Sequence, residues 1–262
     1  MNKTLYQVDS FTAVPFKGNP AGVYISEGAL DETLMRSIAA EMNLSETAFL
    51  YQVDNGYNLR WFTPAAEVEL CGHATLATAH ILWEQGILEP NVDAVFHTLS
   101  GELIARNLNK GIELDFPATA PVECEPPEGL LEALGVNALF VGKNKFDYLV
   151  ELDSVDTVKN CQPNFSELKK TGSRGVMITA EDKEGKYDFV SRFFAPGVGI
   201  DEDPVTGSAH CTLGPYWSNK LNQTDLSAYQ ASARGGEVGI KIDGDRIKLT
   251  GQAVTVFKIE LV

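Results

Sequence analysis

The sequence predicts an α/β protein of two similar lobes, each a mixed sheet rolled round a central helix. Three observations predict it. Arg60-Trp61-Phe62-Thr63-Pro64 returns as Arg192-Phe193-Phe194-Ala195-Pro196. Each copy is followed by an acidic stretch and then a Gly-x-Ala motif, Cys71-Gly72-His73-Ala74-Thr75 and Thr206-Gly207-Ser208-Ala209-His210, opening a segment that ends at Trp83 or Trp217. A looser echo relates Tyr6-Gln7-Val8-Asp9-Ser10 to Tyr148 through Ser154. The copies stand about 130 residues apart, half the chain and far beyond a solenoid period. A chain of 262 residues fits two domains of ordinary size.

Within the first half, strand-like runs occupy Leu5–Val8, Thr47–Val53, Tyr57–Phe62, Leu103–Ala105 and Ile112–Phe116. After the acidic start Asp31-Glu32, the stripe Leu34, Met35, Ile38, Ala39 and Met42 predicts an amphipathic helix. From Gly72 onward Ala74, Leu76, Ala77, Ala79, His80, Ile81 and Trp83 make a helix apolar nearly all round, which must be buried on most sides. In the second half, strands are expected at Tyr148–Leu152, Gly175–Thr179, Asp188–Phe194, Val238–Ile242, Arg246–Leu249 and Val254–Leu261, with Asp243-Gly244 as a hairpin turn. Four prolines between Pro117 and Pro127 mark the linker. This places the lobes at 1–118 and 119–262, with the last strand a candidate to cross back to the first lobe.

Composition excludes several function classes. The net charge of −15 repels nucleic acid and anionic lipid. No apolar run is long enough to span a bilayer. Met1-Asn2-Lys3-Thr4 leads straight into Leu5-Tyr6-Gln7-Val8 without a signal-peptide pattern, so a cytoplasmic protein is expected. Cys71, Cys124, Cys161 and Cys211 form no Cys-x-x-Cys pair and read as reduced thiols. The four histidines show no paired-ligand spacing, so no metal is expected.

Candidate chemistry gathers at the Gly-x-Ala motifs. The first N–H groups of a helix lack internal partners and carry the positive dipole end, and glycine admits close approach of a ligand. Two such starts converging on a cleft would hold a carboxylate or a developing enolate; the plainer reading makes them helix caps, with Thr206 and Ser208 as capping side chains. Glu46, in Asn43-Leu44-Ser45-Glu46-Thr47, sits at a helix-to-strand junction among apolar neighbours that favour a raised carboxyl pKa and a general acid/base role; otherwise it is a surface or capping glutamate. His73, at the helix start, is biased to the neutral form, while His80 and His210 read as buried histidines satisfied by backbone carbonyls. Asp203 belongs to Asp201-Glu202-Asp203-Pro204, whose ordinary fate is a solvated acidic loop. Gly18-Asn19-Pro20-Ala21-Gly22 has turn residues without phosphate-loop spacing.

Taken together, Ser10-Phe11-Thr12, Gly18-Asn19-Pro20-Ala21, the Ser45-Glu46-Thr47 motif, Arg60 through Pro64, Cys71 through Thr75 and Asp203-Pro204-Val205-Thr206-Gly207-Ser208-Ala209 resemble the phenazine-biosynthesis PhzF-like family over nearly the whole chain. The resemblance implies a diaminopimelate-epimerase-like fold with the active site between the lobes, a homodimer, and proton transfer without cofactor. It implies Glu46 as the acid/base. It implies Ser45, Gly72, His73, Asp203, Gly207 and Ser208 as residues holding a small anionic metabolite. Related epimerases and proline racemases use two thiols, one before each helix-start glycine; here those places hold Cys71 and Thr206. A threonine hydroxyl is too weak an acid to replace a thiolate, which disfavours two-base racemisation. Cys71 remains a possible secondary base or a small buried hydrophobe. The characterised phenazine enzyme reads Ala-Gly-His-Pro where this chain reads Cys-Gly-His-Ala, so the resemblance does not assign a phenazine pathway. Three functions stay open: a cofactor-independent isomerase using Glu46, an amino-acid racemase or epimerase using Cys71, and a non-catalytic binding protein.

Overall fold

The computed structural model describes residues 4–262. Met1, Asn2 and Lys3, on which the reading of the N-terminus partly rests, lie outside the described residues. The chain divides into two compact units, residues up to Phe116 together with Leu249–Val262, and Pro117–Lys248.

The first unit contains strands β1 (Thr4–Ser10), β2 (Asn19–Ser26), β3 (Glu46–Val53), β4 (Gly56–Phe62), β5 (Glu67–Val68), β6 (Ala94–Thr98), β7 (Gly101–Leu108) and β8 (Gly111–Pro117), with helices α1 (Glu32–Met42) and α2 (Gly72–Glu84). The second contains β9 (Val122–Glu123), β10 (Phe140–Lys143), β11 (Asp147–Glu151), β12 (Gly175–Glu181), β13 (Phe189–Ala195), β14 (Ile200–Asp203), β15 (Asp225–Gln230) and β16 (Gly236–Asp243), with helices α3 (Leu130–Leu134), α4 (Val155–Asn160), α5 (Phe165–Leu168) and α6 (Gly207–Leu221). Strand β17 (Arg246–Gly251) spans the boundary, and β18 (Ala253–Glu260) returns to the first unit, where it pairs antiparallel with β1.

Both units repeat one pairing plan. In the first, β1–β2 is antiparallel, β2–β3 parallel, β3–β4 antiparallel, β4–β6 parallel and β6–β7 antiparallel. In the second, β10–β11, β11–β12, β12–β13, β13–β15 and β15–β16 follow the same alternation. Strand β4 carries the short antiparallel β5, as β13 carries β14. The duplication is thus a property of the fold. It also corrects one echo: Tyr6 lies in β1, but Tyr148 lies in β11, the counterpart of β2. Strand runs with similar apolar residues match by composition alone, so that likeness is coincidental.

The repeated Arg and Phe residues do equivalent work. Arg60 forms a fork onto Glu67 at 2.6 and 2.7 Å and lies over the Phe62 ring, 5.0 Å from its centre. Arg192 forms the same fork onto Glu202 at 2.7 and 2.9 Å and lies 4.8 Å from the centre of Phe194. The planar guanidinium suits both a bidentate carboxylate and an aromatic face.

Helix α2 is buried from His73 through Ala79 and again at Ile81, Leu82 and Trp83, and it packs on β1, β2, β3, β7 and β18. Such all-round burial is what its lack of a polar face requires. In α6, Ala209 to Gly214 and Trp217 are buried, and the helix packs on β15 and β16. Outside these central helices, α1 is capped by Asp31, which accepts from the Thr33 and Leu34 N–H groups, and it buries Met35, Ile38 and Ala39. Leu34 is exposed, so the apolar stripe is narrower than the periodicity predicts. Asn43 ends α1 in the left-handed region at φ 50°, a conformation asparagine tolerates better than most residues.

Several strands escape the sequence reading. Asn19–Ser26 is strand β2 although it begins with turn residues, because Asn19 and Pro20 lie opposite Ser10 and Asp9 of β1. Gly18 makes the entry with φ 63°, and a Cβ there would sit 2.1 Å from the Ser10 carbonyl oxygen. The acidic run expected as a solvated loop is strand β14, with Glu202 held by Arg192. Among the described residues no helix is long and apolar enough to cross a membrane.

Candidate active site

The first site forms where β3 begins and α2 begins. Asn43 terminates α1, Leu44 and half-buried Ser45 follow, and Glu46 opens β3 opposite Ala21 of β2. Cys71 is the residue before α2, with extended backbone at φ −145° and ψ 110°, and no side chain caps the helix. The first-turn amides of Gly72 and His73 thus donate no hydrogen bond to the N-cap side chain. Ser10 ties the turn in place by donating from Oγ to the His73 carbonyl oxygen at 2.7 Å.

Glu46, Cys71 and His73 converge. His73 Nε2 lies 3.2 Å from Glu46 Oε2, and His73 Nδ1 lies 3.5 Å from Cys71 Sγ. The Nε2–Oε2 approach lacks hydrogen-bond alignment. The Glu46 side chain is 15 % exposed, whereas that of His73 is 7 % exposed. Burial pushes the His73 imidazole down to about 3, so the ring is neutral at neutral pH. Sequence spacing indicates no ligand set here because Glu46 arrives from a different strand. The Cys71-x-His73 pair is the one signal in the sequence that points to it.

The second helix start repeats the backbone with different side chains. Thr206 precedes α6 in extended conformation and again no side chain caps the helix. Its hydroxyl is engaged elsewhere: it donates to Asp203 Oδ2 at 2.5 Å, and Gln230 Nε2 donates to it at 3.2 Å. Gln230 also accepts from the Thr206 N–H at 2.9 Å and donates to the Asp203 carbonyl at 2.7 Å. Thr206 is thus a structural hinge-pin, not the cap expected from its residue type. Ser208, the counterpart of His73, receives a hydrogen bond from Arg174 Nη2 at 3.2 Å. Arg174 forks onto buried Asp147 and faces the rings of Phe146 and Phe193. Sequence reasoning missed Arg174: it follows Gly172-Ser173 in a loop that carries no motif.

The remaining histidines and thiols sort by environment. His210 Nδ1 lies 2.8 Å from the Thr206 carbonyl, as expected of a structural histidine. His80 differs from that expectation, lying 3.2 Å from Thr255 Oγ1 and 3.4 Å from Glu84 Oε1 instead of on a backbone carbonyl. Burial pushes the Cys211 thiol up to about 12 and raises that of Cys161, so both are inert at neutral pH.

His210 supports a stability prediction. Burial lowers its pKa to about 4 from the ordinary 6.5. Above pH 6.5 folded and unfolded chains are both neutral at this position. As pH falls below 6.5 the unfolded chain binds a proton that the folded chain refuses, and stability drops until about pH 4. The loss from this one group is on the order of 3 kcal/mol. Urea unfolding between pH 7 and 4 is expected to show a flatter profile in His210→Gln than in the parent; parallel profiles would contradict this.

A family profile described as phenazine biosynthesis-like protein matches residues 8–259. A protein of Halalkalibacterium halodurans named as an uncharacterized isomerase is 52% identical over 262 residues, covering 100% of this chain and 99% of that protein. The crystal structure of a PhzF-family phenazine biosynthesis protein from Enterococcus faecalis superposes with a TM-score of 0.95 at 41% identity, covering 100% of both chains. A predicted epimerase from Pseudomonas aeruginosa has the same fold, with a TM-score of 0.75 at 19% identity over 100% of this chain and 99% of the other.

Proposed function

The chain belongs to the phenazine biosynthesis-like PhzC-PhzF family, in which close relatives are named isomerases, and from that premise we propose that it moves a proton on a small carboxylate-bearing metabolite with Glu46 as the acid/base. The observation that carries this reading is the placement of the Glu46 carboxylate against neutral His73 at an uncapped helix start. In this reaction Glu46 removes a proton from a carbon activated by the substrate's carboxylate. Negative charge develops on the substrate oxygens, where the amides of Gly72 and His73 stabilise it. Glu46 then returns the proton to a different carbon of the same conjugated system, so no net proton, electron or atom is exchanged. His73, being neutral, lies beside the Glu46 carboxylate without neutralising its charge.

Ser45 in the first unit, and Asp203, Gly207 and Ser208 in the second, are proposed as further ligand-binding residues. Gly207 repeats the uncapped start, and Ser208, by accepting from Arg174, keeps its own hydroxyl proton for a ligand. With a turned-over substrate, Ser208→Ala is expected to raise KM several-fold with kcat within about twofold, the signature of lost uniform binding. An unchanged KM would remove Ser208 from recognition.

The test of the central claim is solvent deuterium entering small unsaturated or α-acidic carboxylic acids, with and without Glu46→Gln. A second reading, racemisation by Cys71, is favoured by its 3.5 Å approach to His73 Nδ1. Against it stands Thr206, whose hydroxyl is committed to Asp203 and Gln230 where a second thiol would be needed. The proposed setting is a homodimer in the cytoplasm, working without a cofactor.

A further inference from the structure

Three different metal-ligating side chains meet beside the start of α2. Cys71 Sγ, an imidazole nitrogen of His73 and a carboxylate oxygen of Glu46 all lie within 4.8 Å of one another. Cys71 Sγ and His73 Nδ1 are 3.5 Å apart. A thiolate at about 2.3 Å and an imidazole at about 2.0 Å from a tetrahedral zinc ion stand about 3.5 Å from each other, so two corners of such a site already have their spacing. Glu46 supplies the third corner through rotation of a flexible side chain. The His73 ring is buried, and its two nitrogens face the other members of the cluster, Nδ1 towards Cys71 Sγ and Nε2 towards Glu46 Oε2. Sulfur, nitrogen and oxygen together select a borderline-soft cation over Mg²⁺ or Ca²⁺, which need all-oxygen shells.

We propose that Glu46, Cys71 and His73 form a binding site for a divalent cation of the Zn²⁺ type, and that the bound ion switches off proton transfer by occupying the Glu46 carboxylate. Binding converts the Cys71 thiol to a thiolate and releases its proton to solvent. One sulfur–metal, one nitrogen–metal and one oxygen–metal bond form in place of metal–water bonds, the displaced waters leave to solvent, one water stays in the fourth position, and no electron moves. The binding claim stands on geometry alone; the inhibitory claim rests on Glu46 being the acid/base.

The reduced, chelator-treated full chain is titrated with Co²⁺ as the probe. One equivalent is expected to bind with a thiolate-to-cobalt charge-transfer absorption in the near ultraviolet and release of a proton, and Zn²⁺ is expected to displace it. Cys71→Ser is expected to abolish the absorption while Cys161→Ser retains it, with circular dichroism and melting temperature as folding controls. If Cys71→Ser does not fold, His73→Gln serves instead and is expected to weaken binding by more than the roughly 10–100-fold that loss of an outer-shell partner costs. Absence of the absorption at saturating Co²⁺, or its survival in folded Cys71→Ser, overturns the site. A normal titration combined with Zn²⁺-insensitive deuterium exchange supports the site and overturns the inhibitory claim, leaving the fault with the Glu46 reading.

Discussion

Glu46→Gln is expected to lower the rate of substrate deuterium exchange by about 10²–10⁴-fold, the range that a positioned general acid/base contributes. The substitution keeps the volume of the side chain and removes the group that accepts the proton. Because the Glu46 side chain is mostly buried beside a neutral histidine, glutamine leaves no unpaired cation behind, and the melting temperature should stay within a few degrees of the parent. The loss should appear equally in kcat and kcat/KM, since the contact matters only in the transition state. Full turnover by Glu46→Gln on an identified substrate would eliminate the assignment. The same assay on Cys71→Ala separates the two bases: collapse there, with activity kept in Glu46→Gln, would transfer the role to the thiol.

The second large effect concerns stability and uses the duplication as its own control. Arg192 and Arg60 occupy equivalent places and make equivalent forks, but their surroundings differ. The Arg192 side chain is 10% exposed and its fork partner Glu202 is 20% exposed. Its Nη1 also donates to the carbonyl oxygens of Val158, Lys159 and Cys161, closing the end of α4. Arg60 is 26% exposed, and one of its two partners, Glu32, is 49% exposed. Arg192→Ala therefore strands the Glu202 carboxylate and the buried Cys161 carbonyl in poorly hydrated surroundings and is expected to cost about 3–5 kcal/mol. Arg60→Ala opens a site that water reaches and is expected to cost about 1 kcal/mol. Denaturant unfolding of the two variants measures the difference; equal losses would mean that burial does not set the value of this repeated ion pair.

Much of the architecture is legible in the chain because the signals are local or duplicated. The apolar circumference of the segment from Ala74 to Trp83 demands burial on all sides, whatever encloses it. The returning Arg-x-Phe-x-Pro and Gly-x-Ala patterns announce two copies of one unit, and Asp243-Gly244 marks its hairpin, with Gly244 at φ 62°. What is illegible is whatever depends on a partner distant in sequence. Strand β2 hides behind turn residues because its pairing with β1 outweighs their intrinsic preference. The acidic run before Pro204 becomes strand β14 because buried Arg192 needs Glu202. Arg174 earns notice only beside Ser208 and Asp147, which lie 34 and 27 residues away in the chain.

The candidate site divides along the same line. The sequence by itself determined that Gly72 and Gly207 open helices, that Glu46 stands at a helix-to-strand junction, and that the thiol before the first glycine has a threonine as its counterpart. These follow from composition and spacing over a few residues. Tertiary structure alone decided that Glu46 meets His73 and Cys71, that the Thr206 hydroxyl is spent on Asp203 and Gln230, and that burial is what holds His73 neutral, as its helix-start position already favours. Each of these depends on distance and desolvation between groups brought together by sheet pairing, and neither quantity is encoded in any local stretch of the chain.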